Sequence, residues 1–262
     1  MIRALYTAAS GMSAQQANLD TVANNLANSS TTGFRRRNLQ FEDMYYQNLV
    51  TPGAAQTTST TQAGLQIGLG THAVSTEVVN TQGDFNQTGN QLDLAISGAG
   101  FFQITKPDGT TAYTRDGSFH LNSSGQMTDA NGELLSPSIT IPTNATNISI
   151  SQYGVVTATI PGQTTAATLG QIQLATFANP GGLSSVGGNL LVATGASGTP
   201  IVDNPGGTTG LGTLQQGYLE ASNVDVVEEF VQMVLAQRAY ESNSKVIKTA
   251  DDMYSQVNNM VR

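Results

Sequence analysis

The side chains able to do acid–base or metal chemistry are few and scattered. His72 lies in a glycine-rich stretch and His120 in a strand-like run, far apart in the sequence. Neither has a second histidine at ligand spacing, and H-E-x-x-H does not occur. The nucleophile elbow G-x-S-x-G is absent as well. Gly68-Leu69-Gly70 and Gly98-Ala99-Gly100 lack the third glycine and the following helix of a dinucleotide site, so they read as tight turns. Asp84, Asp93, Asp108 and Asp116 are the carboxylates from which an acid–base pair would have to come. Asp108 and Asp116 directly precede glycine in turn dipeptides, where aspartate has a conformational role. No EF-hand loop or calcium-binding repeat is present. With no cysteine, a disulfide, a thiolate metal site and a cysteine nucleophile are excluded. The expectation is a chain without catalytic residues, cofactor or metal.

Composition points the same way. Only 11% of the 262 residues are charged, against about a quarter in an ordinary soluble domain. Ser, Thr, Asn, Gln and 28 glycines take their place, a mixture that favours short strands joined by turns. The net charge of −8 is unevenly distributed: residues 1–37 carry +3, residues 38–215 carry −8 and residues 216–262 carry −3. An acidic middle repels nucleic acid, and the short Arg35–Arg37 run does not reverse that. That run reads as a solvated turn, with contact to a neighbour's acidic surface as the alternative. Arg115 is open between two readings, a bridge to an acid of another subunit and an exposed strand face. Thr7, Ser10, Gly11 and Ser13 interrupt any apolar run at the start, so no cleaved leader is expected. No stretch approaches the ~18 apolar residues that would span a bilayer.

The elements follow from periodicity. Leu5, Met12, Leu19 and Leu26 recur every seven residues, with Ala8, Val22 and Ala23 widening the stripe. This is the rhythm of a helix lying along another helix, stopped by the run Asn28 to Gly33. A second stripe runs through Val227, Val231, Leu235, Ala239, Val246, Ala250, Met253, Val257 and Met260. Ser222-Asn223-Val224-Asp225 has the form of a capping box ahead of that helix. Between them, Phe101–Thr105, Ala112–Arg115 and Ser118–Leu121 read as strands set off by Asp-Gly, Ser-Gly and Asn-Gly turns. Further strands are expected at Val155–Ile160 and Leu169–Phe177, with loops and short strands over 178–213. The fold class is therefore α+β: N- and C-terminal helices paired as a coiled-coil-like domain, and a central antiparallel β-rich domain. Residues 1–33 and 218–262 form the helical domain, 34–70 an extended connecting arm and 71–217 the β-rich domain.

The terminal helices need a partner. Ordering each residue costs about 1–2 kcal/mol, while each large apolar side chain buried returns about 1.5–3 kcal/mol. The first helix has few such side chains, and Gly11, Thr21, Asn24 and Asn25 are poor helix formers. Pairing the two helices with each other still leaves much apolar surface open. The expected contacts to neighbouring subunits are Leu5, Met12, Leu19, Val22, Asn24, Asn25, Leu26 and Asn28 on the first helix. On the second they are Val227, Val231, Leu235, Ala239, Val246, Met253, Val257 and Met260. An intramolecular hairpin capping the β domain is the competing arrangement.

Ala23-Asn24-Asn25-Leu26-Ala27-Asn28 with Thr32-Gly33-Phe34 resembles the flagellar rod and hook family. So do Gly98-Ala99-Gly100-Phe101-Phe102, Tyr113 to Phe119, Gln216 to Val224 and Gln237-Arg238-Ala239-Tyr240-Glu241, in the family's order. Phe41-Glu42-Asp43-Met44-Tyr45-Tyr46-Gln47 and the irregular stretch after it resemble the family's distal rod branch; proximal rod members share length and most motifs. The resemblance implies a non-enzymatic homo-oligomer, a hollow helical polymer with its helices inside and its β domain outside. It implies contacts with proximal rod proteins, the hook protein and the L- and P-ring proteins. It also implies export through the flagellar type III apparatus without cleavage, to a rod crossing the periplasm, with Phe41 and Tyr45 fitting a short export signal. A secreted β-rich adhesin and a polysaccharide-active enzyme are the readings from other classes.

Overall fold

The computed structural model describes residues 2–50, 55–56, 59–60, 64–162, 166–207 and 209–260. The chain divides into two compact units. One comprises Met1–Ala27, Arg37–Val78 and Asp225–Arg262, and the other Asn28–Arg36 and Val79–Val224. The class is α+β, with the terminal helices packed together and the strands central in the sequence.

The first unit is built on α1 (Ile2–Ala27) and α2 (Val226–Met260). Polar residues are tolerated inside α1 because their hydroxyls turn back onto the helix: Thr7 and Thr21 donate to the carbonyls of Arg3 and Ala17, four residues earlier. No glycine or proline interrupts α2, which at 35 residues extends ~52 Å. Its N-cap is Asp225, whose Oδ1 accepts from the amides of Val227 (2.8 Å) and Glu228 (3.2 Å). The expected capping box is thus displaced: Ser222 and Asn223 precede the helix, and Asn223 spends its side chain elsewhere. A two-stranded antiparallel ribbon, Arg37–Asp43 against Thr71–Val78, completes this unit, with a bulge between Gln40 and Phe41. Tyr46–Val50 pairs with Leu65–Gly68 beyond it.

In the second unit the strand Phe101–Thr105 is central. Thr111–Thr114 pairs along one side; on the other, Leu134–Ser136 takes its C-terminal half and Leu174–Thr176 its N-terminal half. Hence all of that strand but Thr105 is buried. The expected strand at Leu169–Phe177 is two, Ala167–Gln171 and Leu174–Thr176, which belong to different sheets. Residues 178–213 carry the short strands Ser184–Gly187, Leu190–Val192 and Ile201–Asp203. The core gathers Leu94, Ile96, Phe102, Ile104, Phe119, Met127, Leu135 and Leu174, with Phe102 and Phe119 edge to face at 5.1 Å. A smaller cluster joins Phe101, Tyr113 and Phe177. Asp108 and Asp116 do turn duty, each accepting from the amide and hydroxyl two residues on, Thr110 and Ser118 respectively.

Candidate functional site

The helices α1 and α2 lie antiparallel, as two contacts fix. Near one end, Asn25 Nδ2 donates to Glu229 Oε2 at 3.2 Å. Near the other, a Cβ added at Gly11 would meet Asn243 Nδ2 at 2.9 Å, so only glycine seats that amide undisturbed. Asn25 is 1% exposed and Glu229 3%. The Asn25 side chain also takes both backbone groups of Arg37: its Nδ2 donates to the carbonyl and its Oδ1 accepts from the amide, each at 2.9 Å. One amide therefore ties α1, α2 and the start of the ribbon together.

The buried positions of α2 are Glu229, Ala236 and Ala250, with half-buried Asn243 in the same seven-residue series and half-buried Met233 and Ile247 beside it; most of its large apolar residues lie elsewhere. Val227 (72% exposed), Val231, Leu235 (55%), Val246, Met253, Val257 and Met260 all stand in solvent in the single chain, while Ala239 is half-buried. On α1, Val22 and Asn25 are buried, Leu5, Met12, Leu19 and Leu26 half-buried, and Asn24 exposed. Asn28, half-buried, lies past the helix end and accepts from Thr31 Oγ1 through its Oδ1. Phe41 and Tyr45 are exposed on and beside the ribbon. Glu229, Asn243 and Gly11 escape a search for hydrophobic period; their signal is a seven-step series of small and amide residues running beside the apolar stripe.

The β unit has its own polar centre. Glu220 receives Arg35 Nη2 on Oε1 at 2.6 Å and Arg115 Nη1 on Oε2 at 3.2 Å, with all three side chains nearly sealed from solvent. The amide of Gly83 donates to Glu220 Oε1 at 3.1 Å. Arg115 Nη2 donates to the carbonyl of Gly98 at 2.7 Å, and the guanidinium sits 5.4 Å from the centre of the Phe101 ring. Burial pulls Arg115 down to about 10, Glu220 opposes this, and Arg35 adds to the lowering. Arg35 is lowered by burial too, again opposed by Glu220. Both expectations for these arginines are corrected: Arg115 is neither an exposed strand residue nor free to bridge subunits, and Arg35 is not solvated. Charge within a low-dielectric pocket demands a partner, and Glu220 serves both.

Around that centre three segments are stitched together. Gly33 N donates to the Glu220 carbonyl (2.8 Å), Arg36 N to Asn223 Oδ1 (2.7 Å), and Asn223 Nδ2 to the carbonyls of Val79 and Thr81 (both 2.9 Å). Gly33 has φ +66°, and a Cβ there would meet the Arg115 carbonyl carbon at 2.7 Å.

Among the described residues no cluster of ligating side chains could hold a metal ion, and no helix is long and apolar enough to cross a membrane. His72 lines an open groove of about 420 Å³ with Tyr6, Ser10, Ala14, Ala17 and Met44, and no carboxylate borders it.

Comparison with known proteins decides the family. Three family descriptions match in order: flagella basal body rod protein over residues 5–35, the flagellar hook protein FlgE/F/G D1 domain over 95–158, and the flagellar basal body rod FlgEFG protein C-terminal region over 215–260. The flagellar basal-body rod protein FlgG of Buchnera aphidicola (Baizongia pistaciae) is 47% identical over 97% of both chains. That of Borreliella burgdorferi is 46% identical and that of Bacillus subtilis 39%, each over 100% of both. The chain belongs to the flagellar basal-body rod family. It is a structural protein of the distal rod type and not an enzyme. Among solved structures, a Helicobacter pylori flagellar hook protein, FlgE2, matches 71% of this chain and 43% of its own at 15% identity; its TM-score of 0.25 carries no argument.

Proposed function

We propose that copies of this chain polymerise through their paired terminal helices into a hollow helical drive shaft, the distal rod, with α1 and α2 lining the tube in coiled-coil-like contact and the β unit outside. The rod links proximal rod to hook and transmits torque. The observation that carries this reading is the row of large apolar residues left in solvent along α2 in a member of a rod family.

Magnitudes favour a long interface. Association costs about 4–15 kcal/mol in lost freedom, and each Val, Leu or Met taken from full exposure to burial returns about 1.5–3 kcal/mol. One or two residues cannot hold subunits together. A stripe from Val227 to Met260, joined by Leu5, Met12, Leu19, Val22, Leu26 and the amides Asn24, Asn25 and Asn28 of α1, has the length required. Polymerisation with other rod and hook proteins follows from family membership. Contact with the L- and P-ring proteins, a position across the periplasm, and type III export without cleavage, directed by Phe41 and Tyr45, extend the same proposal.

The test is Leu235→Asp, which changes an exposed side chain away from the seam between the helices. The expected variant keeps the thermal midpoint of the parent but forms no rods by electron microscopy, and it leaves a deletion strain with shortened rods. Normal rods from this variant would remove the α2 stripe from the interface.

A further inference from the structure

The seam between α1 and α2 is periodic, and periodicity creates an ambiguity. Asn25 meets Glu229 and Gly11 meets Asn243. These contacts are fourteen residues apart on each helix, in opposite senses. Counting seven along both helices sets Asn18 opposite Ala236; the next step on α2 is the buried Ala250, and on α1 the exposed Ala4. Both faces therefore repeat every seven residues in small or amide side chains. A seam of this kind permits close approach of the backbones, but sliding by one repeat again sets small residues against small or amide ones. Van der Waals packing along the seam discriminates weakly between such registers.

One position breaks the degeneracy. Glu229 is the charged residue of the α2 series, and it lies buried against Asn25, whose remaining hydrogen-bonding capacity is spent on the Arg37 backbone. Sliding one way carries Glu229 beyond the end of α1 and sets Asn25 against Ala236, which has no side-chain acceptor. Sliding the other way sets Glu229 against Asn18, an amide not anchored to the Arg37 backbone, and leaves Asn25 past the start of α2. A buried carboxylate that loses one of its donors, and a buried amide that loses its acceptor, are both penalised. A single buried polar contact specifying register is a well-attested use of such groups in helix pairs. We propose that Asn25, Glu229 and the Arg37 backbone form the register key of the helix pair, choosing one among several near-equivalent alignments of α1 on α2. The key thereby decides which α2 residues, Val227 to Met260, are presented outward. The inference concerns contacts within one chain and holds whether or not the outward face polymerises as proposed above.

The absence of cysteine makes the alignment directly readable. Two full-length reporters are needed: Gly11→Cys with Asn243→Cys for the observed register, and Gly11→Cys with Ala236→Cys or Ala250→Cys for slips in either direction. Each is oxidised in dilute solution and the intramolecular disulfide quantified. With the key intact, only the 11/243 pair should close. In the Asn25→Leu, Glu229→Leu background the slipped pairs should close as well, and the 11/243 yield should drop to about a third to a half, as when two or three states become near-equal. Glu229→Gln, which retains an acceptor for Asn25, should restore closure confined to 11/243. Closure still confined to 11/243 without the key overturns the inference, because the register is then set elsewhere. Loss of every disulfide with loss of helical circular dichroism overturns it too, since the contact is then needed merely for the pair to form. Pelleting of the same variants reports polymerisation separately, so failure there leaves the disulfide result readable.

Discussion

At Glu220 two guanidinium groups and a backbone amide converge on one carboxylate that is almost wholly enclosed. Glu220→Ala leaves two buried cations facing each other without counter-charge, and breaking a buried pair costs about 3–5 kcal/mol. The urea midpoint of the β unit should fall accordingly, with a local loss of amide protection at Gly83, while the circular dichroism of α1 and α2 is retained. This cluster was hard to read in advance. Arg35, Arg115 and Glu220 are far apart in the sequence, in a chain where most charges are solvated, and nothing in local pattern distinguishes a buried charge from an exposed one. The turn aspartates were legible because their role is local: Asp108 and Asp116 act on residues two positions away.

On the scale of elements, α2 begins where a side chain can satisfy its free amides. Asp225→Ala should lower stability by about 1 kcal/mol, visible as a lower thermal midpoint and faster exchange at the amides of Val227 and Glu228. Both helices were legible from hydrophobic period alone, and the hairpin from Phe101 to Thr114 from its short strand-like runs and Asp-Gly turn, which are local signals. The face that α2 turns to α1 was not. Large apolar residues dominate any period count, yet close packing in this pair selects Ala236, Asn243 and Ala250, and buried Glu229 meets there a donor 204 residues away. The division of Leu169–Phe177 into two strands of different sheets was equally hidden, because pairing partners are set by tertiary contacts that the segment does not encode.

For the whole molecule, charge and apolar surface oppose each other. Copies bearing a net −8 repel one another, and the exposed α2 stripe attracts. Added salt screens the first at a Debye length near 8 Å in ~0.15 M salt, and sulfate strengthens the second. The concentration at which purified protein pellets should therefore fall with sodium chloride and fall further with ammonium sulfate at equal ionic strength. A threshold insensitive to both would point to contacts of another kind.

The two helices come from opposite ends of the fold's sequence, with about 200 residues between them. Their union is thus the last contact available to a chain delivered from α1 onward. Until α2 arrives, α1 has no Glu229 for its amide and no Ala236 or Asn243 for its small residues. A copy cut short before α2 has no helix pair, and so lacks the outward stripe on which neighbours would settle. Under the assembly proposed above, this order of arrival works as a proofreading step: a molecule without α2 is not added.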